Sequence, residues 1–450
     1  MGPNIWKGAT AFLLIIVFFQ FYLMISRDDS SVPHMNGFPA RPPPTAPKPI
    51  KQKHDDKWLF DSKRDARNIG LSEAQCNAAF PDLYQEINRA ISVWQKREHT
   101  IRPEDADIEW RHDAAFQVLI YDNQLRILRT KGTYGNDGYR KRTMFVLSQL
   151  NRALLGASAA GEKVPDVEFG VTVDDMSLIP GKEMDTHAIW AFARNIHSEI
   201  EQRLWLMPDF NFFASTPVGS SYLDMQRRAS LHDQAVMDKI PKAVWRGVKW
   251  TNEAVRGSLL DVTAGKDWAD VQEVDWKNKT NVMRMDDLCR YMFLVHTEGR
   301  SWSGRLKFLL NCDSVPIVHD LDWTAEFYHL LIPDGPDQNY IPVDKDFSNL
   351  EERVKYFLEH PNQAQRIADN AVATFRSRYT SPAAEACYWR RMIRGWNEVA
   401  FKPNAFEKAT VEIAGETVEE DKLRGITYEE WLIFQGNWPA DATPADSKVG

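Results

Sequence analysis

Basic residues are in the minority in this chain: 55 Lys and Arg stand against 63 Asp and Glu, a formal net charge of -8. A nucleic-acid binder needs a basic footprint, so that class is disfavoured, although a locally basic pocket for a nucleotide is not. No His, Cys and Asp cluster has metal-ligand spacing, which argues against a metal centre. Cysteine is scarce, and Cys76, Cys289, Cys312 and Cys387 allow three pairings or four buried thiols. Long apolar runs are missing except for one, Ala9 to Ile25, broken only by Thr10 and Gln20. No small-residue cleavage pattern follows Ile25, so a cleaved signal peptide is the rival expectation and an uncleaved signal anchor the preferred one.

That run lies at the lower edge of the ~17–25 residues that span a bilayer. It implies a cytosolic tail (1–8), a transmembrane helix (9–25) and a lumenal body, single-pass type II. A short span suits the endoplasmic reticulum or Golgi membrane. Prolines 33, 39, 42, 43, 44, 47 and 49 make 26–56 an extended stem. Asn278-Lys279-Thr280 is a glycosylation sequon, usable only in the lumen.

What is present is an ordinary globular composition, 43% hydrophobic and 26% charged, with 16 Trp. At ~100–200 residues per domain, 450 residues suggest two or three domains. The expected boundaries are a first lobe over 57–235, a second over 236–400 with closing helices, and an acidic, aperiodic tail over 401–450. Helices are expected over Ser72–Gln95, Arg140–Leu155, Trp190–Leu206, Leu350–Leu358, Pro361–Tyr379 and Pro382–Val399. Phe116–Tyr121 and Gln124–Leu128 read as a hairpin around Asp122-Asn123. Asp166–Val173 and Lys242–Gly247 read as strands. Strands and helices in alternation describe an α/β fold.

The centre of the chain is the βαβ stretch Asn281–Pro316. A strand, Tyr291–Val295, breaks at His296-Thr297-Glu298-Gly299-Arg300-Ser301-Trp302-Ser303-Gly304 and resumes as a helix from Arg305 to Leu310. Such a turn offers backbone N–H groups and a helix N-terminus to an anion. Arg305 and Lys307 in the first turn oppose the helix dipole and imply a negative ligand nearby; ordinary solvated cations are the plain alternative.

Several segments together resemble glycosyltransferase family 90, the capsule-associated and protein O-glucosyltransferase group with many fungal members. They are Trp245-Arg246-Gly247 with Arg256, Gly299 through Lys307, Phe327-Tyr328, Asn339–Val343, Pro165–Asp175 and Pro208–Phe213. The resemblance spans roughly Asp166 to Trp396. It implies a GT-B arrangement of two Rossmann-like lobes, an inverting transfer from a UDP-sugar, and no metal or other cofactor. It also implies a Cys289–Cys312 bridge, which leaves Cys76 with Cys387. Arg300 and Trp302 depart from the animal members of the family.

On this basis Asp175, at a strand end, is the expected general base. Arg246, Arg256 and Arg305 are expected on the diphosphate, since guanidinium forks bind phosphate in bidentate fashion. Gly247, Gly299, Ser303 and Gly304 would line the donor site, with Glu298, and in second place Glu326, on ribose or sugar hydroxyls. Phe210, Phe213 and Trp302 would offer an apolar face to a sugar ring. The plain alternatives are a loop cap for Asp175, surface ion pairs for the arginines and core packing for the aromatics. The expected function is transfer of xylose or glucose from a UDP-sugar to a hydroxyl of a glycan or protein in the secretory pathway. The alternative is a non-catalytic lumenal glycan-binding protein on the same fold.

Overall fold

The computed structural model describes residues 58–434, apart from 98, 134–136, 178–186, 216–219 and 414–415. The apolar run at 9–25 and the Pro-rich stem lie outside the described residues. Among the described residues, no helix is long and apolar enough to cross a membrane.

After a single helical turn at Ser62–Asp65, the next helix is set by its cap. Ser72 Oγ accepts from the Gln75 N–H at 3.2 Å, and Gln75 Oε1 accepts from the Ser72 N–H at 2.9 Å, a reciprocal capping box. Helix α1 (Glu73–Ala79) stops at Phe80, and α2 (Gln85–Lys96) starts afresh. The single helix expected over 72–95 is thus two, because Pro81 has no N–H to give a helix interior. Strands β1 (Ala115–Tyr121) and β2 (Gln124–Lys131) form the expected hairpin. Asp122 and Asn123 take φ of 51° and 60°, the left-handed pair that a two-residue hairpin turn requires. Helix α3 (Asp137–Ala159) then leads to β3 (Val167–Thr172).

The helix expected over Trp190–Leu206 does not form. The segment supplies β4 (Ile189–Ala191), the short strand Arg194–Asn195, a 3₁₀ turn and β5 (Trp205–Leu206). Packing overrides periodicity here: Trp190 lies flat on Phe169 at 3.6 Å and 11°, and Trp190 and Trp205 both meet Trp396, at 5.8 and 5.3 Å.

The second sheet is wholly parallel. It contains β6 (Ile240–Gly247), β7 (Ala269–Glu273), β8 (Tyr291–His296), β9 (Val315–His319) and β10 (Ile341–Val343), in the order β7-β6-β8-β9-β10. Its crossovers include α4 (Glu253–Thr263) and α5 (Leu306–Leu309). Helix α5 is a single turn within the span expected from Arg305 to Leu310, which become its caps, so little macrodipole is available there. Helices α6 (Leu350–Glu359) and α7 (Pro361–Ala371) follow, the latter continued by a π-helical stretch, Val372–Tyr379.

The chain then returns to the first sheet. Helix α8 (Pro382–Val399) packs on α1, α2 and α3. A Cβ on Gly395 would stand 2.9 Å from both Ile87 Cγ2 and Ile91 Cδ1, so glycine sets the helix separation. Beyond Phe401 the chain is not aperiodic: β11 (Phe406–Ile413) and β12 (Glu416–Leu423) pair as a hairpin. Strand β13 (Ile426–Thr427) then joins β2, completing a mixed sheet in the order β13-β2-β1-β3-β4-β5, and α9 (Tyr428–Phe434) follows. The short strand Trp323–Thr324, beyond β9, pairs with Arg194–Asn195 and links the two halves. The result is a mixed α/β architecture with two main sheets.

Both expected disulfides are present, Cys76–Cys387 and Cys289–Cys312, and no described cysteine is free. They close stretches of 311 and 23 residues. In the chain-entropy account those loops are worth about 5–6 and about 3 kcal/mol respectively. Replacing Cys76 and Cys387 by Ala is therefore expected to lower the denaturant midpoint more than replacing Cys289 and Cys312. Equal losses would count against loop closure as the cause.

Candidate active site

In a parallel sheet, ligands bind beyond the carboxyl ends of the strands, where the chain order reverses. Here that point lies between β6, ending at Gly247, and β8, ending at His296. The loops leaving these ends are tied together, since Asn252 Nδ2 donates to the Gly299 carbonyl at 3.0 Å.

Side chains alternate along β6, and Trp245 is on the face that serves the site. Its Nε1 donates to Thr297 Oγ1 at 3.0 Å. A Cβ on Gly247 would fall 2.5 Å from Trp245 Cζ2, so Gly247 makes room for the indole rather than for a ligand. Two guanidinium groups approach that indole, Arg256 at 5.8 Å and Arg305 at 5.7 Å from the ring centroid. Arg256 donates from Nε to the Glu298 carbonyl and from Nη1 to the Val248 carbonyl, each at 2.9 Å. Arg305 Nη1 is sealed from solvent without a hydrogen-bond partner. Among the described residues no carboxylate pairs with either arginine. Burial pushes Arg256 down to about 10; burial, and then the charge of Arg256, push Arg305 down to about 10. Arg256 is buried and Arg305 half-buried with its Nη1 sealed; two such neighbouring cations without a counterion are costly, and an anion between them reduces the cost.

Arg246 is not part of this pair. It lies on the opposite face of β6, where Nη2 pairs with Asp270 Oδ1 at 2.7 Å and Nε donates to the Asn281 carbonyl at 3.1 Å. Tyr291 holds the other oxygen of Asp270 at 2.5 Å. This is a clasp across β6, β7 and β8. The alternation of β6 already places Arg246 opposite Trp245.

The loop from Thr297 to Gly304 differs from a simple glycine cradle. Gly299 and Gly304 are absent from the left-handed region. A Cβ on Gly304 would meet Asn211 Nδ2 at 2.5 Å, so this glycine admits the Pro208–Phe213 segment. Lys307 is ion-paired with Asp209 of that segment, which supplies the negative partner expected of a ligand. Burial pulls Lys307 down, and Asp209 and then Glu326 oppose the shift. Glu298 turns away from solvent and accepts from the N–H groups of Asp322 and Trp323 at 3.0 and 2.8 Å. Burial raises it to about 7. Ser303 offers its carbonyl to the Tyr328 hydroxyl at 3.3 Å. Beneath the loop His296 is fully buried with neither ring nitrogen bonded, and burial holds it well below the usual imidazole range. Glu326 is also buried, and burial, reinforced by Asp209, holds it well above the usual carboxylate range.

Asp175 stands beyond the end of β3, on the other sheet, yet it meets the loop directly. Ser301 Oγ donates to the Asp175 main-chain carbonyl at 2.7 Å. The Asp175 carboxylate accepts from Arg142 Nη1 at 2.9 Å and is 39% exposed. Trp302 packs on Phe192 at 5.3 Å, Phe192 on Phe210 at 5.5 Å, and Arg142 lies 4.8 Å over Phe210. Phe210 and Trp302 therefore share the surroundings of Asp175, with Trp302 mostly buried. Phe213 packs instead on Phe145 and beneath Arg152. Asn278 is in an exposed turn, its Nδ2 donating to Asp275 at 2.7 Å. Three contributors went unnoticed in the site expected from the sequence: Trp245 as a platform, Ser301 as a link and Arg142 as the partner of Asp175.

Comparison with known proteins places this geometry in context. A family model described as glycosyl transferase family 90 matches residues 73–428. Protein O-glucosyltransferase 1 of Mus musculus is 23% identical over 256 residues, covering 52% of this chain and 63% of its own. The O-glucosyltransferase rumi homolog of Anopheles gambiae is 24% identical over 251 residues, covering 53% and 57%. Protein O-glucosyltransferase 3 of Rattus norvegicus is 25% identical over 248 residues, covering 52% and 47%. The chain thus spans about half to three fifths of the length of these relatives.

Proposed function

The chain belongs to glycosyl transferase family 90, and from that premise we propose that it is an inverting, metal-independent glycosyltransferase that uses a UDP-sugar. The observation that carries this is the pair Arg256 and Arg305 over Trp245, Arg256 buried and Arg305 half-buried with Nη1 sealed, without a carboxylate among the described residues, at the switch point of a parallel sheet. A nucleotide diphosphate is the anion that suits such a pair, since each guanidinium binds phosphate oxygens as a fork. The relatives' names, O-glucosyltransferases, support glucose as donor sugar, with xylose the second choice. The acceptor is a hydroxyl of a glycan or protein. A two-lobed GT-B arrangement is supported by the wholly parallel second sheet and by the bond from Ser301 of its loop to Asp175 of the first, although the first sheet is parallel only across β3, β4 and β5 and antiparallel in its other pairings.

In this mechanism the acceptor oxygen attacks the anomeric carbon as the bond from that carbon to the diphosphate oxygen breaks. The acceptor proton passes to Asp175. The electron pair leaves with UDP, whose new charge is stabilised by Arg256 and Arg305. Asp174 and Asp175, the adjacent carboxylates that a metal would recruit, are each engaged by an arginine, Arg111 at 3.1 Å and Arg142 at 2.9 Å. The body belongs in the lumen of the endoplasmic reticulum or Golgi, anchored through 9–25, and the two disulfides fit an oxidising compartment.

Thermal shift of the lumenal body tests this with UDP, UDP-glucose, UDP-xylose, UDP-galactose and GDP-mannose. A ligand that binds only the folded state stabilises it by RT ln(1 + [L]/Kd). A shift with UDP, enlarged by one UDP-sugar and unaffected by EDTA, is expected. No shift with any nucleotide favours the glycan-binding alternative. A shift lost to EDTA and restored by manganese overturns the metal-free mechanism.

A further inference from the structure

Asp175 is fixed at three of its atoms. Its N–H donates to Asp174 Oδ1 at 2.7 Å, its carbonyl accepts from Ser301 at 2.7 Å, and its Oδ1 accepts from Arg142 Nη1 at 2.9 Å. The same Nη1 donates to the Val173 carbonyl at 3.0 Å, so one nitrogen joins the carboxylate to the preceding backbone. The guanidinium is flanked by aromatic faces, 4.8 Å from the centroid of Phe210 and 5.9 Å from that of Tyr139, which restrict its swing.

Helix α3 addresses both aspartates from one face, because Tyr139 and Arg142 are three residues apart. The Tyr139 hydroxyl reaches Asp174 Oδ1 at 3.4 Å. Arg111, whose side chain is 3% exposed, holds Asp174 Oδ2 at 3.1 Å. Asp174 is therefore occupied by Arg111 and Tyr139 while serving as the acceptor for the Asp175 N–H. Stability does not account for the Arg142–Asp175 pair. Its side chains are 24% and 39% exposed, and exposed ion pairs contribute little to folding. Its effect is geometric: Arg142 engages Oδ1, and among the described residues no hydrogen bond occupies Oδ2.

We propose that Arg142 is a positioning residue for the general base, holding Oδ1 so that Oδ2 takes the acceptor proton. Ser301 completes the arrangement by tying the main chain of the base to the loop that carries Arg305. A donor that orders this loop thereby also orders the base. This rests on Asp175 being the base, and the test separates the two claims.

The test measures UDP release from UDP-glucose and UDP-xylose, with water as acceptor, by the full chain and its Arg142→Ala, Arg142→Lys, Asp175→Asn and Arg142→Ala/Asp175→Asn variants. Loss of orientation at a reacting group costs about 10- to 100-fold. Arg142→Ala is expected to lose that much in kcat with donor KM within about twofold, and Arg142→Lys to recover part of it. In the Asp175→Asn background, Arg142→Ala is expected to add nothing, because it acts only through the carboxylate. A normal kcat for Arg142→Ala overturns the proposal. So does a raised donor KM at unchanged kcat, which would place Arg142 on the donor, and so does a full additional loss in the double variant. Full activity of Asp175→Asn overturns the base assignment itself and is visible in that single variant. If Arg142→Ala does not fold, Arg142→Gln and Arg142→Lys carry the same comparison.

Discussion

Asp175→Asn is expected to abolish sugar transfer while leaving the affinity for UDP unchanged. Asparagine keeps the shape of the side chain and an oxygen for Arg142 Nη1. The bond from Ser301 goes to the main-chain carbonyl and survives the change. What disappears is the basic oxygen, and a positioned general base contributes about 10²- to 10⁴-fold. Initial rates together with calorimetric titration of UDP separate the possibilities. Loss of turnover with intact UDP binding identifies a base; loss of both makes Asp175 structural. The neighbouring substitution, Asp174→Asn, serves as a contrast. It removes the charge that pairs with Arg111, a side chain only 3% exposed, and stranding a buried charge is strongly destabilising. Asp174→Asn should therefore lower Tm, whereas Asp175→Asn should leave it in place.

The contrast between the two aspartates shows how far the sequence could reach. That a carboxylate stood at the end of β3 followed from a strand pattern and a family resemblance. Which of two adjacent carboxylates remained available depended on Arg111 and Arg142, residues 63 and 33 positions away, and no local pattern encodes that. The centre of the second sheet was legible, because β8 and β9 are continuous apolar runs and β6 ends in an Arg-Gly turn; β7, polar and half-exposed, and the three-residue β10 carry no such signal. The stretch from Trp190 to Leu206 was not legible. Ile196, Ile200 and Leu204 recur every four residues as in a helix, but Trp190 and Trp205 are consumed by Phe169 and Trp396 across the core. The three arginines were grouped by the family resemblance and by the phosphate-binding fork they share. Period-two alternation along β6 separates Arg246 from Trp245 and was already available in the sequence. The role of Lys307 was hidden for another reason: its counterion, Asp209, lies 98 residues earlier in the chain. A cation at the start of a helix implied an anion, and the anion proved to be the protein's own.

Arg305→Met should separate binding from stability, because the group that serves the ligand is a burden to the empty fold. In the wild-type chain Arg305 Nη1 is buried without a partner beside Arg256. Burial and the second cation depress its folded pKa to about 10 from an ordinary 12.5. For a cation so depressed, the cost to folding is fully present below the folded pKa and is relieved only as pH rises through about 10. At neutral pH the charge therefore opposes folding, and methionine, apolar and of similar length, removes that opposition. The ligand-free variant is expected to melt at the wild-type Tm or above it. Its UDP-induced shift is expected to shrink, since hydrogen bonds to charged groups are worth about 1.5–3 kcal/mol, or about 10- to 150-fold in Kd. Arg256→Met should weaken UDP as well. It also frees the Val248 and Glu298 carbonyls that Arg256 now satisfies, so its Tm should fall. Both cations are expected to meet one diphosphate, so the double variant should lose less than the sum of the singles. A lower Tm for Arg305→Met with undiminished UDP affinity would remove Arg305 from the site and leave the buried pair without a function.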